Sequence, residues 1–441
     1  MGLARAVAQV GVGRPSERRA LWSWRALIWG VGLVPMLVTP FYPRSFDLLS
    51  YTAALQEGFG VAGLVGRAAT AFQVLLGVAL VAYWGLWRRR KPMPSSLLWG
   101  VVALAVGPTL STFWGISPQV SLGHLAAPLL LASTLFIPPV RIEWFANEVK
   151  KLLFLYVVAS LLAAVVAPEW ALESPYVQGY IPGFQVRLHG VTVHANHTAP
   201  FAWLLLLLEV AFPNRVRLLR FSILALSLLV LLLTQSKTMW ALTAFTISLL
   251  GFNFIWRQPL PKRLVGLLLF AGIGLMPASL LVLLPDVLDP LQRMVESRSE
   301  DLTSLTGRTV IWQTVLSIVE ENPWFGYGPH LWDPEMALQY ASWVGWTPAQ
   351  SHNQYIQSLG EGGWIGLGGF ILYGLILSIN AFRVRRVGLG LPFVLVLAWF
   401  IRGFTESWYR KATTDGNLFI HMVIFALVVL AVRELRRGQS G

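Results

Sequence analysis

Unbroken apolar runs long enough to cross a lipid bilayer recur from residue 22 to residue 432. Inside a bilayer every backbone N–H and C=O must be paired within the protein, so only helices or closed barrels can span it. These runs are continuous rather than alternating, which selects helices. Spans are expected near 22–41, 68–87, 97–115, 122–140, 152–168, 196–212, 221–235, 238–256, 264–284, 362–382, 388–404 and 417–432. The chain therefore reads as an all-α, polytopic membrane protein of about twelve transmembrane helices. Composition agrees: 55% of residues are hydrophobic and 12% charged, where a soluble globular domain carries roughly a quarter charged.

The 34 Lys and Arg against 21 Asp and Glu give +13. If the N-terminus is cytoplasmic, the loops on that side hold 24 of the 34 basic residues, the asymmetry that orients helices in membranes. The excess charge is thus topology rather than a nucleic-acid footprint, and both termini are expected in the cytoplasm. The run from Leu21 follows Arg18-Arg19 but lacks a small-x-small cleavage site, so it reads as an uncleaved span. Zero Cys excludes disulfides, thiolate nucleophiles and Cys-ligated metals.

Basic residues left over on the outer side include Arg187, Lys237, Arg308 and Arg402. That side also owns the one long segment between spans, residues 285–361, too long for a passive connection. The expected division is spans one to nine over 1–284, a large outer loop over 285–361, and spans ten to twelve with a cytoplasmic tail over 362–441. Within the loop, Val310, Ile311, Val315, Ile318 and Val319 predict a helix that ends at Asn322-Pro323, followed by a tight turn at Gly326-Tyr327-Gly328-Pro329. Ser351 and Gln354 have capping-box spacing, which places His352 on the first turn of a short helix running to Gly360. There the helix dipole disfavours imidazolium, leaving a neutral imidazole suited to general base work.

Two further constellations carry chemistry. Arg187 begins a segment containing His189, His194, Asn196 and His197. With no Cys and no acid in that segment, a metal site is disfavoured, and His189 and His197 read as interfacial polar residues. The Arg187 guanidinium suits a bidentate grip on phosphate oxygens, though a snorkelling interfacial arginine is the simpler alternative. Gln235-Ser236-Lys237-Thr238 interrupts a long apolar stretch, so Lys237 is either a turn residue reaching outer water or the second cation of an anion pocket. Trp346, with Trp332, Trp343 and Trp364, offers faces for sugar stacking or forms a membrane-boundary belt.

Taken in order, five pieces resemble the O-antigen ligase and polymerase family of bacterial envelope glycosyltransferases. They are Arg187-x-x-Gly190 with His194-Ala195-Asn196; Ser236-Lys237-Thr238; Gly307-Arg308-x-x-x-Trp312; Asn322-Pro323-Trp324-Phe325-Gly326-Tyr327-Gly328; and His352-Asn353-x-Tyr355-x-Gln357 with Glu361, Gly363 and Gly366. The resemblance implies a GT-C-like membrane enzyme that takes a glycan from a polyprenyl (undecaprenyl) diphosphate carrier. It joins that glycan to a sugar hydroxyl at the periplasmic face of the inner membrane, without a metal or other cofactor. In ligases the acceptor is lipid A–core; in polymerases it is another carrier-linked repeat. Carried onto this sequence, the resemblance puts Arg187, Lys237 and Arg308 on the diphosphate, makes His352 the base, and gives supporting or sugar-binding roles to His194, Asn196, Asn353, Tyr355 and Trp346. Lys237 stands where the family often has Arg. The rival class is a transporter, but the expected polar residues cluster at the outer face rather than along a midplane path.

Overall fold

The computed structural model describes residues 15–42, 60–91, 94–118, 122–176, 181, 184–267, 308–333, 336, 350–409 and 416–439. The expected all-α membrane architecture is present. Helices are α1 (Pro15–Gly32), α2 (Gly60–Val81), α3 (Ser95–Trp114), α4 (Ala126–Phe136), α5 (Ile142–Val166), α6 (Ala195–Ala211), α7 (Arg217–Leu233), α8 (Lys237–Trp256), α9 (Arg308–Glu321), α10 (Gln354–Arg383), α11 (Leu391–Arg402) and α12 (Asn417–Gln439). Among the described residues, seven helical segments are long and apolar enough to cross a membrane. The expected spans at 122–140, 196–212, 221–235 and 388–404 are shorter helices, and most of the span at 264–284 lies outside the described residues. The long apolar stretch does split at Gln235-Ser236, between α7 and α8. Among the described residues the one sheet is a two-residue antiparallel pair, β1 (Leu172–Glu173) with β2 (Arg187–Leu188), in which Glu173 faces Arg187.

Two helices form the axis of the bundle. α12 is buried from Asn417 through Val432, and α6 from Thr198 through Glu209. Both are apolar around their whole circumference, the pattern of a helix surrounded by other helices. α2, by contrast, leaves Val61, Leu64, Phe72, Leu75 and Val78 exposed, a face suited to lipid.

The tightest packing is between α3 and α10. Gly107 lies so close to Gly366 that a Cβ on Gly107 would meet the Gly366 backbone, and Gly369 lies equally close to the Ala103 carbonyl. Small residues permit this approach, which dispersion rewards where lipid offers no hydrophobic drive between helices. α10 is longer than the expected span at 362–382 and breaks at Gly363, whose φ of 60° suits a glycine. The Asn322–Gly328 turn clasps the break: Trp364 N donates to Pro323 O at 2.8 Å and Tyr327 N to Gly360 O at 2.8 Å. The same turn reaches α3, with Asn322 Nδ2 donating to Trp114 O at 2.7 Å and Ser117 N to Tyr327 O at 2.8 Å. The motif is therefore a structural clasp that seats α9 against α3 and α10.

Candidate active site

The loops before α6, between α7 and α8, before α10 and after α11 converge at one end of the bundle, and Asn196 ties them together. Its Oδ1 accepts from Arg187 Nη2 at 3.0 Å and from Ser236 Oγ at 3.0 Å. Its Nδ2 donates to Glu406 Oε1 at 2.8 Å, and its backbone carbonyl accepts from Arg402 Nη2 at 3.2 Å. One side chain thus spans a cation, a hydroxyl and a carboxylate drawn from three separate loops.

Arg187 is buried. Its Nε donates to Thr234 O at 3.0 Å, Nη1 lies 3.8 Å from Glu173 Oε2, and the guanidinium stands 4.8 Å over the Tyr176 ring. The group is held rigidly by the strand pair and the α7–α8 tip. Lys237 is exposed on the first turn of α8, beside Ser236. Arg308 opens α9 and is half-buried, near enough to Glu406 to act on its charge.

His352 differs from its sequence expectation. Asn353, not Ser351, caps α10: its Oδ1 accepts from Tyr355 N at 2.9 Å and Ile356 N at 3.2 Å. His352 therefore precedes the helix, with a φ of 49°, instead of sitting on its first turn. An amide oxygen reaches two backbone donors at once, so Asn353 outcompetes the serine. The helix also continues to Arg383 rather than ending at Gly360. One half of the expected box survives in altered form, since the side chain of Gln357 accepts from Ser351 N at 2.8 Å.

In this position His352 faces a carboxylate absent from the sequence expectations. Its Nδ1 is 3.6 Å from Glu406 Oε2, and the two side chains are 27% and 5% exposed. The separation is an ion-pair contact rather than a formed hydrogen bond. Gln350 Nε2 donates to the same oxygen at 3.2 Å. Burial pushes the Glu406 carboxyl up, but the facing His352, then Arg402 and Arg308, outweigh it and hold the group well below the usual carboxylate range. Glu406 thus sits behind the imidazole with its charged form favoured. Its one signal in the sequence is an acid placed four residues after Arg402, at the rim of an apolar run and directly before Ser407-Trp408-Tyr409.

His194, Tyr355 and Asn353, also expected at the site, each make hydrogen bonds within the fold. His194 caps α6, its Nδ1 accepting from Asn196 N at 3.0 Å, and burial followed by the Arg187 charge holds its imidazole well below the usual histidine range. Tyr355 OH donates to Phe400 O at 3.2 Å and its ring stacks on Phe404. Asn353 is committed to its cap, and its N–H donates to Ser407 Oγ at 3.2 Å, fixing the loop that carries Glu406. Trp346 lies outside the described residues. His189 Nε2 is 2.9 Å from Glu173 Oε2, and among the described residues no group of three or more His, Asp or Glu is arranged to hold a metal ion.

The sequence of this region matches a family model described as O-antigen ligase over residues 222–371, which includes α8, Arg308, the clasp and His352. This segment is similar to the O-antigen ligase family. Among individual proteins, the chain is similar to a general O-oligosaccharyltransferase of Acinetobacter baylyi, 26% identical over 239 residues, covering 51% of this chain and 41% of the relative. Less than half of that relative's length is therefore matched. Within the matched segment lie both His352 and the turn that sets the break in α10, while Arg187, Asn196 and Glu406 lie beyond its ends and are brought beside it by the fold.

Proposed function

We propose that the chain transfers a glycan from a polyprenyl diphosphate carrier to an acceptor hydroxyl at the periplasmic face of the inner membrane, as an O-antigen ligase acting on lipid A–core. The observation that carries this reading is the His352 imidazole backed by the buried Glu406 carboxylate, at the rim of a membrane bundle and beside Arg187 and Arg308. The acceptor oxygen attacks the anomeric carbon and its proton passes to His352 Nε2. The bond from that carbon to the diphosphate oxygen breaks, and its electron pair leaves with the phosphate. Glu406, 3.6 Å from Nδ1, stabilises the imidazolium formed, the electrostatic part of the role an acid plays behind a histidine base. Charge developing on the leaving diphosphate is met by preorganised guanidinium groups in a low-dielectric setting. Similarity to a general O-oligosaccharyltransferase favours an oligosaccharide donor and an oxygen acceptor.

The test supplies purified protein with carrier-linked glycan, with and without lipid A–core, and resolves products by size. A ligase yields nothing from donor alone and glycan-bearing lipid A–core when both are present. A ladder of lengthened carrier-linked chains from donor alone would establish the polymerase instead, and solute flux in liposomes with no transfer would establish a transporter.

A further inference from the structure

A second concavity, of mixed polar and apolar lining, lies along α9 beside its packed face. Ile311, Val315, Ile318 and Val319 are buried, the last three in a small core with Tyr327, Leu331 and Leu359. Gln313, Thr314, Ser317 and Glu321 follow helical spacing on another face and, with Ser117, Tyr327 and apolar side chains that include Val310 and Ile318, line a cleft of about 690 Å³. The wall opposite α9 is held by the clasp, through Ile116 N donating to Gly326 O at 3.0 Å and Ser117 N to Tyr327 O. The cleft is thus built by fixed backbone, and its size falls within the roughly 300–1,000 Å³ range of small-molecule sites.

Its chemistry selects a ligand class. No Lys, Arg or His is among its described lining residues, so the described wall offers no cation to a phosphate. Thr314 and Ser317 spend their protons on Val310 O and Gln313 O, both at 3.0 Å, which leaves their oxygens as acceptors. Glu321 is acceptor-only and the Gln313 amide both donates and accepts. Such a set matches the many hydroxyl donors of a neutral sugar and repels a carboxylated one. From Arg308 to Ser317 is nine residues along one helix, about 13 Å along its axis at 1.5 Å per residue and half a turn around it, so a glycan reaching from Arg308 into the cleft would cross α9 rather than follow one face of it.

We infer that this cleft binds a neutral oligosaccharide segment and that Glu321 discriminates against acidic sugars there; the inference rests on the glycan-transfer reading of the neighbouring site. Donor and acceptor glycans share this chemistry, and the test separates them. The probe is the oligosaccharide released by mild acid from the host's own carrier-linked pool, presented to the full chain in nanodiscs and followed by saturation-transfer NMR. Wild type and His352→Ala should bind it equally, Ser317→Trp should abolish binding without changing the melting temperature, and Gln313→Ala should weaken it on the order of threefold to tenfold, as loss of one hydrogen bond does. Glu321→Gln should narrow the preference for neutral over uronic-acid-containing oligosaccharides. In the transfer assay, a raised KM of Ser317→Trp for carrier-linked glycan assigns the cleft to the donor, and a raised KM for lipid A–core assigns it to the acceptor. Binding that Ser317→Trp leaves intact would overturn the cleft while leaving the transferase standing. Binding at the cleft by a chain that transfers nothing would keep the cleft and overturn the transferase.

Discussion

Glu209 and Glu406 are both buried carboxylates in a membrane bundle, yet their surroundings differ in kind. Glu209, at the end of α6, receives Lys150 Nζ at 2.9 Å on Oε2, and Asn214 donates to both oxygens at 2.6 Å. Lys150 in turn donates to Phe212 O at 2.6 Å. Both carboxylate oxygens are bonded, and the pair is sealed, with the lysine 4% and the glutamate 0% exposed. Glu406 is held by two neutral amides, from Asn196 and Gln350, and meets its titratable partner at 3.6 Å across a partly open face. The closed pair can only support the fold. On the proposed reading, the open one offers an imidazole nitrogen to a substrate proton, with cations nearby for an anion. Burial of a charge does not mark a functional site; incomplete satisfaction of its partner does.

The largest effect expected is at the closed pair. Lys150→Met strands the Glu209 charge and should cost about 3–5 kcal/mol, whereas Lys150→Met with Glu209→Leu should recover most of it, since an apolar pair replaces a buried ion pair at little loss. Thermal unfolding in detergent reads both, and equal destabilisation by single and double variants would show that shape rather than charge holds this end. At the open pair the same kind of change should leave the fold and remove the reaction. His352→Ala should lower transfer by roughly a hundredfold or more with little change in melting temperature, because a base acts in the transition state. Glu406→Gln should lower kcat while leaving the donor KM nearly unchanged. Activity of His352→Ala within about tenfold of wild type would make the two carboxylates equivalent after all.

A smaller effect sharpens which cations belong to the open site. Lys237→Arg should keep most activity and Lys237→Ala should lose about tenfold, on the order of one charge-assisted contact. Equal turnover of Lys237→Ala and wild type would assign that lysine to the turn. The smallest effect is a pH dependence of stability at His194. Its imidazole is held below the usual 6.5 when folded, so below about pH 6.5 the unfolded chain takes a proton that the folded chain refuses. Stability from this group is therefore complete above about pH 6.5 and declines as pH falls toward the lowered folded value. His194→Asn, which keeps an N-cap acceptor, should flatten that decline between about pH 7.5 and pH 5, measured by thermal unfolding.

The membrane fold was legible because bilayer burial imposes a one-dimensional rule: apolar length and polar interruption are written along the chain and need no partner to be read. The split at Gln235-Ser236 and the α9 helix with its stop at Asn322-Pro323 emerged from that rule and from local chain chemistry. His352, Arg187 and Asn196 were visible as residues. Their assembly was not. Whether Ser351 or Asn353 caps α10 turns on which side chain reaches two backbone donors, and that choice moves His352 off the helix and against Glu406. Glu406 is 210 residues from Asn196 in the chain, and only the packing of α6 beside α11 and α12 closes that distance. Local sequence determines which segments enter the membrane and where each turns, because those free energies are set within a few residues. Tertiary structure decides which buried charges are satisfied and which are left poised, because that depends on what the remaining helices bring to the same few ångströms.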